Sequence, residues 1–449
     1  MSNPHDTYVE NDSSSDESYG GSSSSNPFVQ MQNMIIQNIP NMIQHCQQHQ
    51  QQDEPTRPKK KRAYIDRSRE ERAYDLEKDY FMEKSPYADK FRRRFRMARP
   101  LFERVVAGVV HQDDYFVCKP DALGRTGLST LQKCTAAIRM LAYGASADSV
   151  DEYCRLGEST ALMCLSRFCD AVVAEFGPTY MRRANEADLR KILLINGARG
   201  FPGMIGSIDC MHWTWKNCPK AWHGQFQGKS KKPTLVLEAV ATQDTWIWHS
   251  FFGVSGKYND LSIVQRSPVF DDLLNGTAPQ VSFEVNGHHY DMPYYLTDGI
   301  YPAWATFVSA WPNPVTHKEA KFSERQESCR KDVERAFGVL QARFAVIRNP
   351  ALAHNKATLK KIMDCCITLH NMIVEDERHT YLNYDEEIEE FEKDTREHVP
   401  EVINGVRIRR MQSTINSIPE YMKNFRQMHS LVKHDELTRD LMEHIWRLL

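Results

Sequence analysis

Gly203-Met204-Ile205-Gly206-Ser207-Ile208-Asp209-Cys210 is a short apolar run closed by a carboxylate. It reads as a buried strand with Asp209 at its end. Two other acidic motifs lie far along the chain. Thr297-Asp298-Gly299-Ile300-Tyr301-Pro302 follows the strand-like run Tyr294-Tyr295-Leu296, and Arg330-Lys331-Asp332-Val333-Glu334-Arg335-Ala336-Phe337-Gly338 has helical spacing, with Val333, Phe337 and Leu340 on one apolar side. Two carboxylates at strand ends and one on a helix can converge. Three hard oxygen ligands in one place would seat a pair of Mg2+ ions, which activate an attacking oxygen and stabilise a leaving one in phosphodiester chemistry. Each acid also has a plainer reading: an Asp after a strand is commonly a turn or cap residue, and a Glu within Arg-x-x-x-Glu is commonly a surface ion-pair partner.

The 449 residues suffice for two or three domains with a substantial core. A formal net charge of -2 conceals a strong asymmetry. Residues 1–54 carry acids and no Lys or Arg, whereas Arg57 to Arg72 holds eight basic residues and Lys90 to Arg104 seven more, so near-neutrality does not argue against nucleic acid. The eleven cysteines are scattered, and no basic and apolar leader opens the sequence, which points to reduced thiols in a cytosolic or nuclear protein. No apolar run approaches the roughly 20 residues that span a bilayer, so no membrane partner is expected. Cys365-Cys366 beside His370, and Cys210 near His212, invite a zinc reading; adjacent cysteines on a helix face different ways and no second ligand pair follows, so core thiols are expected instead.

Residues 1–56 are rich in Ser, Asn and Gln, a composition that buries too little apolar surface to offset chain entropy; disorder is expected there. Residues 57–72 contain Lys59, Lys60, Lys61 and Arg62, a cluster suited to an importin groove and nuclear localisation, or simply to a solvated linker. From 73 to 200 the pattern is helical. Phe91, Phe95, Ala98, Phe102 and Val105 recur at spacings of 3 and 4, Pro100 marks a new first turn, and Leu131, Cys134, Ile138 and Leu141 share one face of a helix that Gly144 stops. Ala147 to Thr160, leading into Ala161 to Phe176, has the layout of a helix-turn-helix whose second helix would offer Ser159, Thr160 and Arg167 to DNA; many helical hairpins share that layout without touching DNA. Residues 201–375 turn strand-like, with a hairpin expected from Thr234 to Thr242 and Trp246 to Val254. Residues 376–449 read as an acidic linker and a short amphipathic terminal helix from Leu437.

The ordered set Gly203 to Cys210, Trp246-Ile247-Trp248-His249, Tyr258-Asn259-Asp260, Leu296 to Pro302, Arg330 to Arg343 and His370-Asn371-Met372 resembles the DDE endonuclease domain of PIF/Harbinger transposases, in the plant Pong-like branch. The likeness extends upstream through Phe91 to Phe95 and Gly127 to Cys134, covering roughly residues 80–449. It implies an α/β RNase H-like catalytic domain, a mixed sheet flanked by helices, behind an all-α helix-turn-helix-like domain and a disordered tail. It implies Asp209, Asp298 and Glu334 as the catalytic, metal-holding acids for two Mg2+ or Mn2+ ions, with Asp260 as a supporting carboxylate. DNA would be cut at terminal inverted repeats and the freed 3'-hydroxyl would attack target DNA. Arg330, Lys331, Arg335 and Arg343 are candidate phosphate contacts, and Lys216 and His212 weaker ones. The family further implies a Myb-like DNA-binding accessory protein and a homodimer that pairs two DNA ends. A domesticated relative, acting in the nucleus as a chromatin or transcription cofactor without transposition, is the alternative, and an RNase H-like nuclease on other nucleic acids is a third reading.

Overall fold

The computed structural model describes residues 67–120, 122, 124–228, 231–381, 402–403, 405–409 and 417–448. The chain divides into two units, Met1–Asp66 and Arg67–Leu449, and everything that follows belongs to the second. The Ser/Asn/Gln-rich tail, the cluster Lys59 to Arg62 and most of the acidic linker lie outside the described residues.

Five longer helices precede the sheet: α1 (Arg69–Tyr80), α2 (Arg99–Gln112), α3 (Thr130–Tyr143), α4 (Glu158–Tyr180) and α5 (Glu186–Ala198). Their limits follow from local chemistry. Left-handed Arg96 (φ 66°) closes a short helix at Phe91–Phe95, and Pro100 sits in the first turn of α2, where its missing N–H costs no hydrogen bond. Ser129 and Gln132 form a reciprocal capping box at the start of α3, and left-handed Gly144 ends it. Cys134, Ile138 and Leu141 on α3 are fully buried, as the 3-and-4 spacing requires. The turn before α4 is built from a one-turn helix at Asp151–Cys154 and left-handed Arg155 (φ 56°). Helix α4 turns one face to the core: Ala161, Cys164, Phe168, Cys169 and Val172 are buried, while Leu162, Met163 and Arg167 face outward.

The main sheet contains β1 (Met204–Thr214), β2 (Thr234–Ala241), β3 (Ile247–Ser255), β6 (Tyr294–Leu296) and β7 (Phe307–Val308), in the order β3-β2-β1-β6-β7. Strand β2 is antiparallel to both β1 and β3, and β6 and β7 run parallel to β1, so the fold is a mixed α/β sheet. The hairpin β2–β3 is the one expected from sequence. Gly206 explains the glycine of the first motif: the β1–β6 register shifts between Met204 and Gly206. There φ is +150°, and a Cβ would sit 2.9 Å from Val240 Cγ1 and 3.0 Å from the Ala241 carbonyl oxygen. Asp209 does not end its strand. It lies mid-way along β1, which runs on to Thr214 because Met211 and Trp213 keep facing the core while His212 faces out.

A second sheet, β5-β4-β9-β8, joins β4 (Gln280–Val285) and β5 (His288–Tyr290) to β8 (Val402–Ile403) and β9 (Val406–Arg409). Short α6 (Asp260–Val264) precedes it; α7 (His317–Arg343) and α8 (Lys356–Tyr381) follow the main sheet. Helix α8 continues through the first residues of the expected acidic linker, because Glu377 is held by Arg343 and Arg92. Helices α9 (Ile418–Met428) and α10 (Leu431–Leu448) close the chain, and Leu437, Leu441 and Ile445 of α10 are buried with Phe201, Phe283 and Phe322. The terminal helix thus docks on its own unit. No helix among the described residues is long and apolar enough to cross a membrane.

Candidate functional site

The register of β1 and β6 pairs Ser207 with Leu296, so Asp209 and Asp298 both lie two residues beyond one matched pair on adjacent parallel chains. Helix α7 crosses this point and ties the pieces together. The buried Gln326 amide donates to the carbonyls of Thr297 and Val308, both at 2.9 Å, fixing the chain just before Asp298. Ser207 Oγ donates to the Cys329 carbonyl at 3.2 Å, fixing β1. Gln326, Arg330 and Glu334 repeat every four residues, so they share one face of the helix.

Asp209 accepts the Cys210 backbone N–H at 2.7 Å on Oδ1 and faces Arg330 Nη1 at 3.3 Å on Oδ2. The other end of the same guanidinium, Nη2, lies 2.7 Å from Glu334 Oε1. Burial pushes the Asp209 carboxyl up to about 6; Asp298 and Asp260, the latter at the start of α6, add to the rise, while the Cys210 N–H and Arg330 oppose it. Asp209, Asp298 and Asp260 therefore share one electrostatic neighbourhood. The plainer roles are realised as well: Asp298 Oδ1 accepts the Ile300 N–H at 3.1 Å in a turn, and Glu334, 46% exposed, is an i,i+4 ion-pair partner.

The donor chemistry suits a hard divalent cation, since the acids that influence one another here, Asp209, Asp298 and Asp260, are all carboxylates. Among the described residues no three His, Cys, Asp or Glu side chains already stand grouped to hold one ion. Arg330 stands between Asp209 and Glu334 instead.

The basic candidates fall into two kinds. Lys331 and Lys216 are exposed. Arg335 pairs with Asp332 at 3.3 Å and donates to the Gln243 carbonyl, Arg167 pairs with Asp113 at 2.9 Å, and Arg343 is held by Glu377 at 2.9 Å with 15% exposure. Arg335 and Arg343 join Arg92 and Arg378 around a cavity of about 440 Å³, which Asp244 and Glu377 also line.

Three residues quoted in the motifs, but not given this role from sequence, fasten the region. Asp332, two residues before Glu334, is fully buried and bonded to Arg199 at 2.6 Å; its place on the stripe Cys329, Asp332, Val333, Ala336, Leu340 was the available signal. Asn371 accepts the Ile247 N–H at 2.9 Å and donates to the carbonyls of Tyr180 and Ile247 at 2.7 and 2.8 Å, joining α4, β3 and α8. His370 Nε2 donates to the Thr245 carbonyl at 2.8 Å and Nδ1 accepts from Arg343, so burial holds the ring neutral, with its pKa lowered to about 3. These bonds occupy both ring nitrogens of His370. Cys365 and Cys366 are core thiols, and Cys210 faces Tyr301 at 3.6 Å while His212 faces Thr234.

Residues 178–381, which contain the main sheet and all three acids, match the family described as plant transposon protein. Residues 74–110 match a domain of unknown function. Over 306 residues the chain is 23% identical to "Protein ALP1-like" of Arabidopsis thaliana, an alignment covering 65% of this chain and 72% of that protein. No solved structure matches the chain.

Proposed function

We propose that this chain, whose residues 178–381 match the plant transposon protein family and whose motifs resemble Harbinger-type transposases, has a metal-dependent DNA strand-cleaving and strand-transferring activity built on an RNase H-like domain. The observation that carries this reading is that Asp209 and Asp298 both lie two residues beyond one matched β1–β6 pair, with Glu334 of α7 tied to Asp209 through Arg330. The strand order β3-β2-β1-β6-β7, with β2 alone running opposite, supports the RNase H-like assignment. Asp209, Asp298 and Glu334 would hold two Mg2+ or Mn2+ ions, with Asp260 in support. Such ions, when bound, supply activation of water or a 3'-hydroxyl and stabilisation of the leaving oxygen. The chain's own contribution is placement. Gln326 fixes the segment before Asp298, and the Cys210 N–H orients Asp209.

Substrate, partners and compartment follow the same reading. DNA with terminal inverted repeats is the substrate, met through Arg330, Lys331 and Arg335 and, more remotely, Lys216, Arg343 and Arg167. A Myb-like protein would supply sequence recognition, the working unit would be a homodimer, and Lys59 to Arg62 would direct the chain to the nucleus through importin. The test is Mg2+-dependent cleavage of a terminal-repeat duplex with a Myb-like partner present. Asp298→Asn is expected to abolish it without unfolding the chain; cleavage persisting at the wild-type level in that variant would sink the metal assignment.

One observation favours the second reading, a domesticated nuclear cofactor that binds without cutting. Arg330 already neutralises Asp209 and Glu334 in part. On that reading the wild-type chain cuts no repeat DNA under any metal, and Asp209→Asn leaves its chromatin association unchanged.

A further inference from the structure

Arg330 is gripped by two carboxylates from different elements. Its Nη2 lies 2.7 Å from Glu334 one turn along α7, and its Nη1 lies 3.3 Å from Asp209 on β1, 121 positions away in sequence. A helical i,i+4 pair at the surface is an ordinary feature worth little. The reach across to β1 is not ordinary: Arg330 is 18% and Asp209 20% exposed, so this contact is mostly withdrawn from water. A guanidinium is a rigid fork that addresses two carboxylates at once and keeps its proton at any working pH. Its charge therefore stands between the first and third acids of the site until the side chain itself moves.

We infer that Arg330 is a resident cation that closes the acidic site in the free protein, and that divalent metal loads only as the guanidinium leaves Asp209 and Glu334 for a phosphate of bound nucleic acid. This rests on the reading of Asp209, Asp298 and Glu334 as metal ligands. The exchange keeps charge matched at both ends, since the acids gain a divalent ion as they lose the arginine, and the arginine gains a phosphate oxygen pair of the geometry its fork fits. Metal loading and DNA binding are then one coupled event. If the acids stand open in about a tenth of free molecules, apparent metal affinity is weakened about tenfold.

The test is Mn2+ binding to the full chain, read from the electron paramagnetic resonance of free Mn2+, so no turnover is needed. Arg330→Gln is expected to bind Mn2+ about tenfold more tightly than wild type, by the same population argument. Duplex DNA is expected to tighten Mn2+ binding by the wild-type chain and to change that of Arg330→Gln much less. Mn2+ affinity in Arg330→Gln equal to or weaker than wild type overturns the inference. If that variant does not fold, Arg330→Lys decides. It keeps the charge and loses the fork, so it should bind more tightly than wild type, and wild-type affinity there overturns the idea equally. Adding Asp209→Asn to Arg330→Gln separates the two readings: Mn2+ binding that survives intact in the double variant removes the metal site itself, whatever Arg330 does.

Discussion

Helix α7 carries two acids two residues apart that live in opposite worlds. Asp332 has no exposed surface and is bonded to Arg199, itself only 17% exposed, whereas Glu334 is 46% exposed and shares Arg330 with Asp209. Burial even lifts the Asp332 carboxyl above its ordinary value despite the arginine beside it. The contrast separates fastening from function. An acid sealed in the interior against Arg199, with Arg335 beside it, locks helix to helix; an acid left half in water, on a shared cation, can change partners.

Removing the sealed partner should do the most damage. Asp332→Ala strands the Arg199 guanidinium in the interior and is expected to cost about 3–5 kcal/mol of stability in urea unfolding; a loss under about 1 kcal/mol would erase the contrast, since that is the range of a surface pair. Asn371→Ala should come next, at about 2–3 kcal/mol by the same assay, because it leaves the Ile247 N–H and two carbonyls without their partner. His370 gives a pH signature. Its folded pKa lies near 3, below the ordinary 6.5, so under pH 6.5 the unfolded chain takes up a proton that the native ring refuses. Stability contributed by this neutral ring is whole above about 6.5 and is lost as pH falls toward 3, at up to about 1.4 kcal/mol per pH unit. Melting followed from pH 7 to pH 5 should fall more steeply for wild type than for His370→Gln; parallel curves would show that the ring does not carry the effect. Glu334→Gln should be the mildest in stability, within about 1 kcal/mol of wild type, while it abolishes Mg2+-dependent cleavage. A variant that both melts early and still cuts would reverse the roles of the two acids.

How much of this was legible beforehand depended on whether the signal was local. Strand β1, the β2–β3 hairpin and α3 announce themselves through apolar spacing and caps, all set within a dozen residues. The three acids were legible through motif order; the structure sets Asp209 near Asp298 and links it to Glu334 through Arg330. The extent of β1 past Asp209 was harder to read, because alternation on a half-buried strand places His212 and Asp209 where a polar residue looks like an end. The sheet β5-β4-β9-β8 was hidden in part: the β4–β5 hairpin turns on Asn286-Gly287, a local signal that went unused, whereas the pairing of Gln280 with Arg409 that joins the two halves of the sheet has no local pattern. Arg330 was read as a phosphate contact, since nothing in a linear sequence tells that Asp209 is its neighbour. The turn at Asp298 and the ion pair of Glu334 were also foreseen, as the plainer alternatives, and both are present.

The four-residue repeat of Gln326, Arg330 and Glu334 makes α7 a timing device as well as a support. Each residue advances an α-helix by about 100°, so a single insertion or deletion between Gln326 and Glu334 would turn the downstream acid off β1 while leaving every residue of the motif in the gene. The helix would differ by one residue, and the two ends of the repeat would fall out of phase. Spacing along this helix is thus as strict a requirement as the identity of any side chain on it.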